Sequence, residues 1–110
     1  MEPRLTADFW VRAYLNRLRL RDIPAFVVAK GDATAGAVLV KLNSLDGNAV
    51  VYQRSFTIEG DRVWLVLSEG AEAAVDAAIA RQRKFDSDLW VIEVEDRDGR
   101  SLLDEPGFAS

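Results

Sequence analysis

GAVLVKLNSLDGNAVVYQRSFTIEGDRVWLVLS, residues 36–68, carries the strand pattern on which the architecture of this chain rests. It holds three apolar, β-branched runs, 36–43, 49–58 and 62–68, divided by two short turn signals. Leu45-Asp46-Gly47-Asn48 supplies the φ > 0 positions that a tight hairpin needs, and Glu59-Gly60-Asp61 makes the second turn. Within the first run Val38, Val40 and Leu42 alternate with Leu39, Lys41 and Asn43, the period-two pattern of a strand. The three runs predict an antiparallel meander.

Working outward, Ala25 to Lys30 reads as a short strand stopped by Gly31. Before it, residues 6–21 predict a helix with Thr6 as N-cap and Asp8 in the first turn, where a negative charge suits the helix dipole. Pro24 ends it, because a residue preceding proline is pushed out of the α region. After the meander, an alanine-rich helix spans 71–84 with Val75, Ala78 and Ile79 as a narrow apolar stripe. A fifth strand follows at 89–95, with Trp90, Ile92 and Val94 on one side and Val91, Glu93 and Glu95 on the other. The expected fold is α+β: a mainly antiparallel five-stranded sheet with two helices, in the order α-β-β-β-β-α-β. A helical crossover sets the fifth strand parallel to the fourth, and pairing with the first strand gives the expected spatial order 5-1-2-3-4. One domain covers 1–110, and residues 100–110 read as a loosely ordered tail that Leu102, Leu103 and Phe108 would dock.

Composition limits the chemistry. The chain has 110 residues, no histidine and no cysteine, which excludes thiolate, imidazole, zinc-finger and disulfide chemistry. A net charge of -4 argues against wholesale nucleic-acid binding, yet residues 1–41 carry +3 and the remainder -7. The opening MEPRLTADFW lacks the charged and apolar regions of a signal peptide, and no apolar run approaches the ~20 residues of a membrane span. The expectation is a cytoplasmic protein without cofactor, metal or membrane contact. Arginine outnumbers lysine 11 to 3, which reads either as phosphate or carboxylate recognition or as solvated helix faces.

Three segments carry a family resemblance: PRLTADFWVRAYLNRLRL near the start, GDATAGAVLVKLNSLDG at 31–47 and ARQRKFDSDLWVIEVEDRDGRSLLD at 80–104. Together they resemble an uncharacterised bacterial family, domain-of-unknown-function family 1491. The resemblance implies a small stand-alone protein and assigns no activity or catalytic residue.

The residues themselves offer several sites. Lys41, Arg54 and Glu93 are charges inside otherwise apolar strands, and Arg54 shares a strand face with Val50, Tyr52 and Phe56. An arginine on an apolar face needs a partner or costs several kcal/mol. It pairs with Glu93, reaches water, or joins Lys41 in holding an anion beside Tyr52 and Trp64. Trp10, Trp64 and Trp90 read as core residues, while the place of Trp64 between Val63 and Leu65 also allows an exposed aromatic that anchors a protein interface. Arg12, Arg17, Arg19 and Arg21 give the first helix a basic side, open to salt-sensitive nucleic-acid contact or to plain solvation. The small-residue loop Lys30–Gly36 is either a hairpin loop or an anion cradle, and it leads into a strand where a phosphate loop leads into a helix. Glu93, Glu95, Asp96 and Asp98 have the oxygen ligands of a hard cation but also the look of an acidic turn. No catalytic constellation is complete. The leading expectation is a non-catalytic binding module, self-associating as a homodimer or docking on another bacterial protein. The alternatives are a binder or enzyme for an anionic ligand and a weak nucleic-acid binder.

Overall fold

The computed structural model describes residues 5–56, 58–60 and 62–108; Thr57 and Asp61, assigned above to a strand and a turn, lie outside the described residues, as do 109–110. The elements are α1 (Ala7–Leu20), β1 (Ala25–Ala29), β2 (Val38–Asn43), β3 (Asn48–Phe56), β4 (Arg62–Ala71), α2 (Glu72–Phe85) and β5 (Trp90–Glu95). Their order is as expected. Thr6 caps α1 by accepting from the Phe9 amide at 3.2 Å. At its other end Asp22 takes φ 58, and the Ile23 and Asp22 amides donate to the Leu18 and Arg19 carbonyls. This Schellman closure uses an aspartate where glycine is usual, and Leu18 and Ile23 seal it from the core side.

The sheet runs β1-β5-β2-β3-β4. It is mixed: β5 lies parallel to β2, from Val38 opposite Trp90 to Asn43 opposite Glu95, and every other pair is antiparallel. This corrects the expected order 5-1-2-3-4. The pairing of β5 with β1 is as expected, but β5 sits inside the sheet rather than at its edge. Its Trp90, Val91, Ile92 and Val94 are all buried, on both faces, and all six residues of β2 are buried too. Two doubly apolar strands are best covered side by side at the centre, which is the usual place of a parallel pair. The connection from Lys30 to Ala37 makes this possible by crossing two strand spacings, about 10 Å.

Each face of the sheet has its own core. On one, α1 lays Trp10, Val11, Tyr14 and Leu18 over Val38, Val40, Leu42, Trp90, Ile92 and Val94. Leu102 and Leu103 complete that core and Phe108 packs against it, so residues 101–108 form a docked strap. On the other face α2 places Val75 and Ile79 over Leu39, Ala49, Val51 and Val91. Among the described residues no helix is long and apolar enough to cross a membrane.

Candidate functional site

Register decides which charges meet. Lys41 lies opposite Val51 and beside Glu93, on the α2 face. Arg54 is three residues past Val51, so the two-residue period turns it to the α1 face, opposite Trp64. The expected grouping of Lys41, Arg54, Glu93 and Tyr52 therefore splits across the sheet, and the Arg54–Glu93 pair is not formed.

On the α2 face, Lys41 is 5% exposed and its Nζ lies 2.7 Å from Glu72, 2.7 Å from Asp76 and 3.3 Å from Glu93. Asn43 ties the cluster together by donating to Glu72 and Glu93. Burial lowers the Lys41 pKa, but hydrogen bonds to Asp76 and Glu72 and the charges of Glu93 and Asp76 outweigh it and raise the pKa overall. Glu72 and Asp76 on α2 are partners that the strand pattern did not reveal. The buried ammonium thus donates to Glu72 and Asp76 and faces Glu93 as a third carboxylate.

On the α1 face Arg54 is held by rings. Its Cζ stands 4.8 Å from the Trp10 ring and 5.2 Å from the Trp64 ring, within cation–π range. Its Nε and Nη2, and the Trp10 Nε1, are buried without a hydrogen-bond partner among the described residues. Burial and the neighbouring charge of Arg62 push the guanidinium down to about 10, so it stays protonated at neutral pH. Arg54 and Arg62 border a cavity of about 320 Å³ shared with Thr6, Trp10, Thr34 and Gly36, whose described lining contains no carboxylate. Tyr52 is half-buried on the same face, with its phenol pushed up by burial and by the charge of Glu69. Sequence reading assigned Trp10 to the core and passed over Arg62. The register placing Arg62 opposite Phe56, one pair beyond Arg54 and Trp64, is the signal that finds it.

Trp64 is half-buried rather than exposed. Its Nε1 donates to the Phe108 carbonyl at 2.6 Å and its ring centroid lies 5.5 Å from that of Trp10. The strap over it is fastened by Tyr14, which donates to the Ser101 carbonyl at 2.7 Å, and by Glu105. Arg17 grips Glu105 through Nε and Nη2 at 2.7 and 3.1 Å, and Arg21 adds a third contact at 3.2 Å. Arg17 in α1 and Arg21 at its C-cap are thus engaged by the strap. Arg19 donates to Asn16 at 2.6 Å, and Arg12 stands 3.9 Å from Asp8.

The loop at 30–36 is a cap and not an anion cradle. Asp32 accepts from the Thr34 and Ala35 amides, and the Ala33 and Thr34 carbonyls accept from Asp8 and Ala7 at the start of α1. Asp96 holds Arg100 through both carboxylate oxygens at 3.0 Å, and among the described residues no group of three histidine, cysteine or acidic side chains is placed to hold a metal ion.

The strap gives a pH prediction. The Arg17 hydrogen bond leads the effects that hold the Glu105 carboxyl below its ordinary value. A lowered carboxylate pKa contributes stability above the unfolded value of about 4.3, lost as pH falls through the folded one. Near-UV circular dichroism of the Trp10–Trp64 cluster is therefore expected to weaken below about pH 4. Glu105→Gln is expected to loosen the strap already at pH 7 and to flatten that titration. A wild-type signal unchanged down to pH 3 counts against the latch.

The arrangement defines a small α+β domain, helix-covered on both faces of a mixed sheet, with a basic, aromatic-walled cavity beside α1. The chain belongs to the DUF1491 family, described as a protein of unknown function, whose model matches residues 5–104. A crystal structure of a DUF1491 protein from Caulobacter crescentus CB15 is 41% identical, covers 94% of this chain and 98% of its own, and superposes with a TM-score of 0.86. An NMR structure of a DUF1491 protein from that organism gives 40% identity, 96% and 97% coverage and a TM-score of 0.82. A solution structure from A. tumefaciens is 29% identical, with 84% and 86% coverage and a TM-score of 0.72. Among curated proteins none matches the chain.

Proposed function

We propose that this protein is a non-catalytic binding module for a small anionic ligand, with Arg54 as its central contact. The observation that carries this reading is the set of three buried donors that find no acceptor among the described residues: Arg54 Nε, Arg54 Nη2 and Trp10 Nε1. Buried donors are nearly always paired, and an unpaired one costs about 1–3 kcal/mol. Elsewhere in the chain the same Nε–Nη2 edge is filled by a carboxylate, on Arg17 by Glu105 and on Arg100 by Asp96. Among the described residues nothing fills that edge of Arg54, which lies next to a cavity bordered by a second arginine. A planar carboxylate or a phosphate matches it, since both accept two parallel N–H bonds. The donors are closed off from bulk water, so the ligand meets them through an adjustment of the flexible Arg54 stem at the cavity wall. Binding rather than catalysis is favoured because the chain lacks histidine and cysteine and the described cavity wall lacks a carboxylate base. A cytoplasmic setting agrees with the absence of cysteine.

Thermal unfolding in inorganic phosphate and in acetate tests this, with Arg54→Met beside wild type. An anion that binds only the folded state raises stability by about 2.7 kcal/mol at a hundredfold excess over Kd. Wild type is expected to respond and the variant not to. Without anion the variant is expected to be more stable by about 1 kcal/mol, because relief of two unpaired donors exceeds the loss of two cation–π contacts. A destabilised Arg54→Met, together with wild type indifferent to both anions, would make Arg54 a packing residue and end the proposal.

A further inference from the structure

A second surface, remote in chemistry from the Arg54 cavity, lies along β1. This strand closes one side of the sheet and pairs with β5 alone. Its sequence AFVVA carries no charge, yet Phe26, Val27 and Val28 are 47%, 39% and 49% exposed. Edge strands are ordinarily protected by charge, by proline or by a covering element. Within β1 itself the device is a bulge between Val27 and Ala29. Three adjacent half-exposed apolar residues on an open edge are a template for another strand.

The ground beside the strand says what that strand carries. On the α1 face, a depression of about 570 Å³ next to Ala25 is lined by Leu15 with Arg12, Arg19 and Asp22. On the α2 face, one of about 290 Å³ next to Ala29 is lined by Leu89 with Lys30, Arg83 and Lys84. Phe85, 89% exposed, adjoins it in sequence. Successive side chains of an added strand point to opposite faces and would enter these two depressions in turn. Among the described residues five cations against one carboxylate line them, in a chain whose net charge is -4. A second copy of β1 would bring the same cations to the same place and be repelled.

We propose that the β1 edge docks an extended, acidic segment of a partner protein, which adds to the sheet as a sixth strand. Its backbone pairs with β1, its aliphatic side chains cover Phe26, Val27 and Val28, and its carboxylates meet the flanking arginines and lysines. The surface is independent of Arg54.

Fluorescence anisotropy of a short labelled peptide of alternating glutamate and valine, titrated with the full chain, tests the docking. Saturable binding is expected, with no binding of the lysine–valine counterpart. Phe26→Glu and Lys84→Glu are each expected to weaken it about tenfold or more while far-UV circular dichroism stays unchanged. Arg54→Met is expected to leave it intact. Equal binding of both peptides, or of neither, overturns the proposal. So does a concentration-dependent dimer in light scattering that Phe26→Glu dissolves, or displacement of the peptide by duplex DNA.

Discussion

Lys41→Met is expected to destabilise the fold by about 3–5 kcal/mol, the cost of removing one partner from a buried charge cluster. The substitution keeps the length and apolar stem of the side chain, so packing against β3 and β5 changes little. What disappears is the single cation among Glu72, Asp76 and Glu93. Glu72 and Asp76 are 39% and 54% exposed and rehydrate readily, whereas Glu93 is only 15% exposed and is left near two like charges. In wild type the raised Lys41 pKa means that its contribution is fully present below the unfolded lysine value of about 10.4 and is lost only as pH rises through the higher folded one. Urea denaturation at pH 7 checks the loss. Adding Glu93→Gln to Lys41→Met is expected to restore part of it, because the stranded carboxylate is then neutral. A loss below about 1 kcal/mol would mean that water already solvates the cluster.

Gly31→Ala is expected to cost about 3 kcal/mol or more, through sterics rather than backbone strain. A Cβ at this position would overlap the Asp88 carbonyl oxygen and lie 2.6 Å from Trp90 Cδ1 and 2.7 Å from the Trp90 amide nitrogen. Two of those atoms are backbone at the entry to β5 and cannot swing aside. Much depends on this close approach: the Asp32 amide donates to Asp88, the Trp90 indole donates to Asp32, and the next residues cap α1. A shift there is expected to reduce the near-UV signal as well as the urea midpoint. Gly47→Ala is the matched comparison. Gly47 has φ 92 with nothing within 4 Å of its Cβ position, so only the conformational cost of about 1 kcal/mol applies. Similar losses for the two variants would contradict the close-packing argument.

The elements were legible because each rests on local signals. Thr6, Asp8 and Pro24 bracket α1, Asp46-Gly47 turns β2 into β3, and the period-two runs mark strands within a few residues of their ends. The singular character of Arg54 was legible too, as a guanidinium among Val50, Tyr52 and Phe56. Its company was not. Pairing it with Lys41 and Glu93 required all three to share a face, but Val51 stands opposite Lys41 and the alternation along β3 turns Arg54, three residues on, to the α1 face instead. Trp64 looked exposed because its cover comes from Phe108, distant in sequence. For the same reason Arg17 and Arg21 looked like a free basic face until Glu105 met them.

Local sequence signals are enough for the α-β-β-β-β-α-β order and for the family, and composition alone excludes thiol and imidazole chemistry. Those properties are written in composition and in neighbours a few residues apart. Packing of the whole chain places β5 between β1 and β2, sets Lys41 among Glu72, Asp76 and Glu93, and stands Arg54 between two tryptophans. Strand choice depends on which surfaces bury most apolar area together, and that is a property of the whole chain. The meander at 36–68 therefore set the topology of three strands, while burial on both faces of β2 and β5 set the sheet.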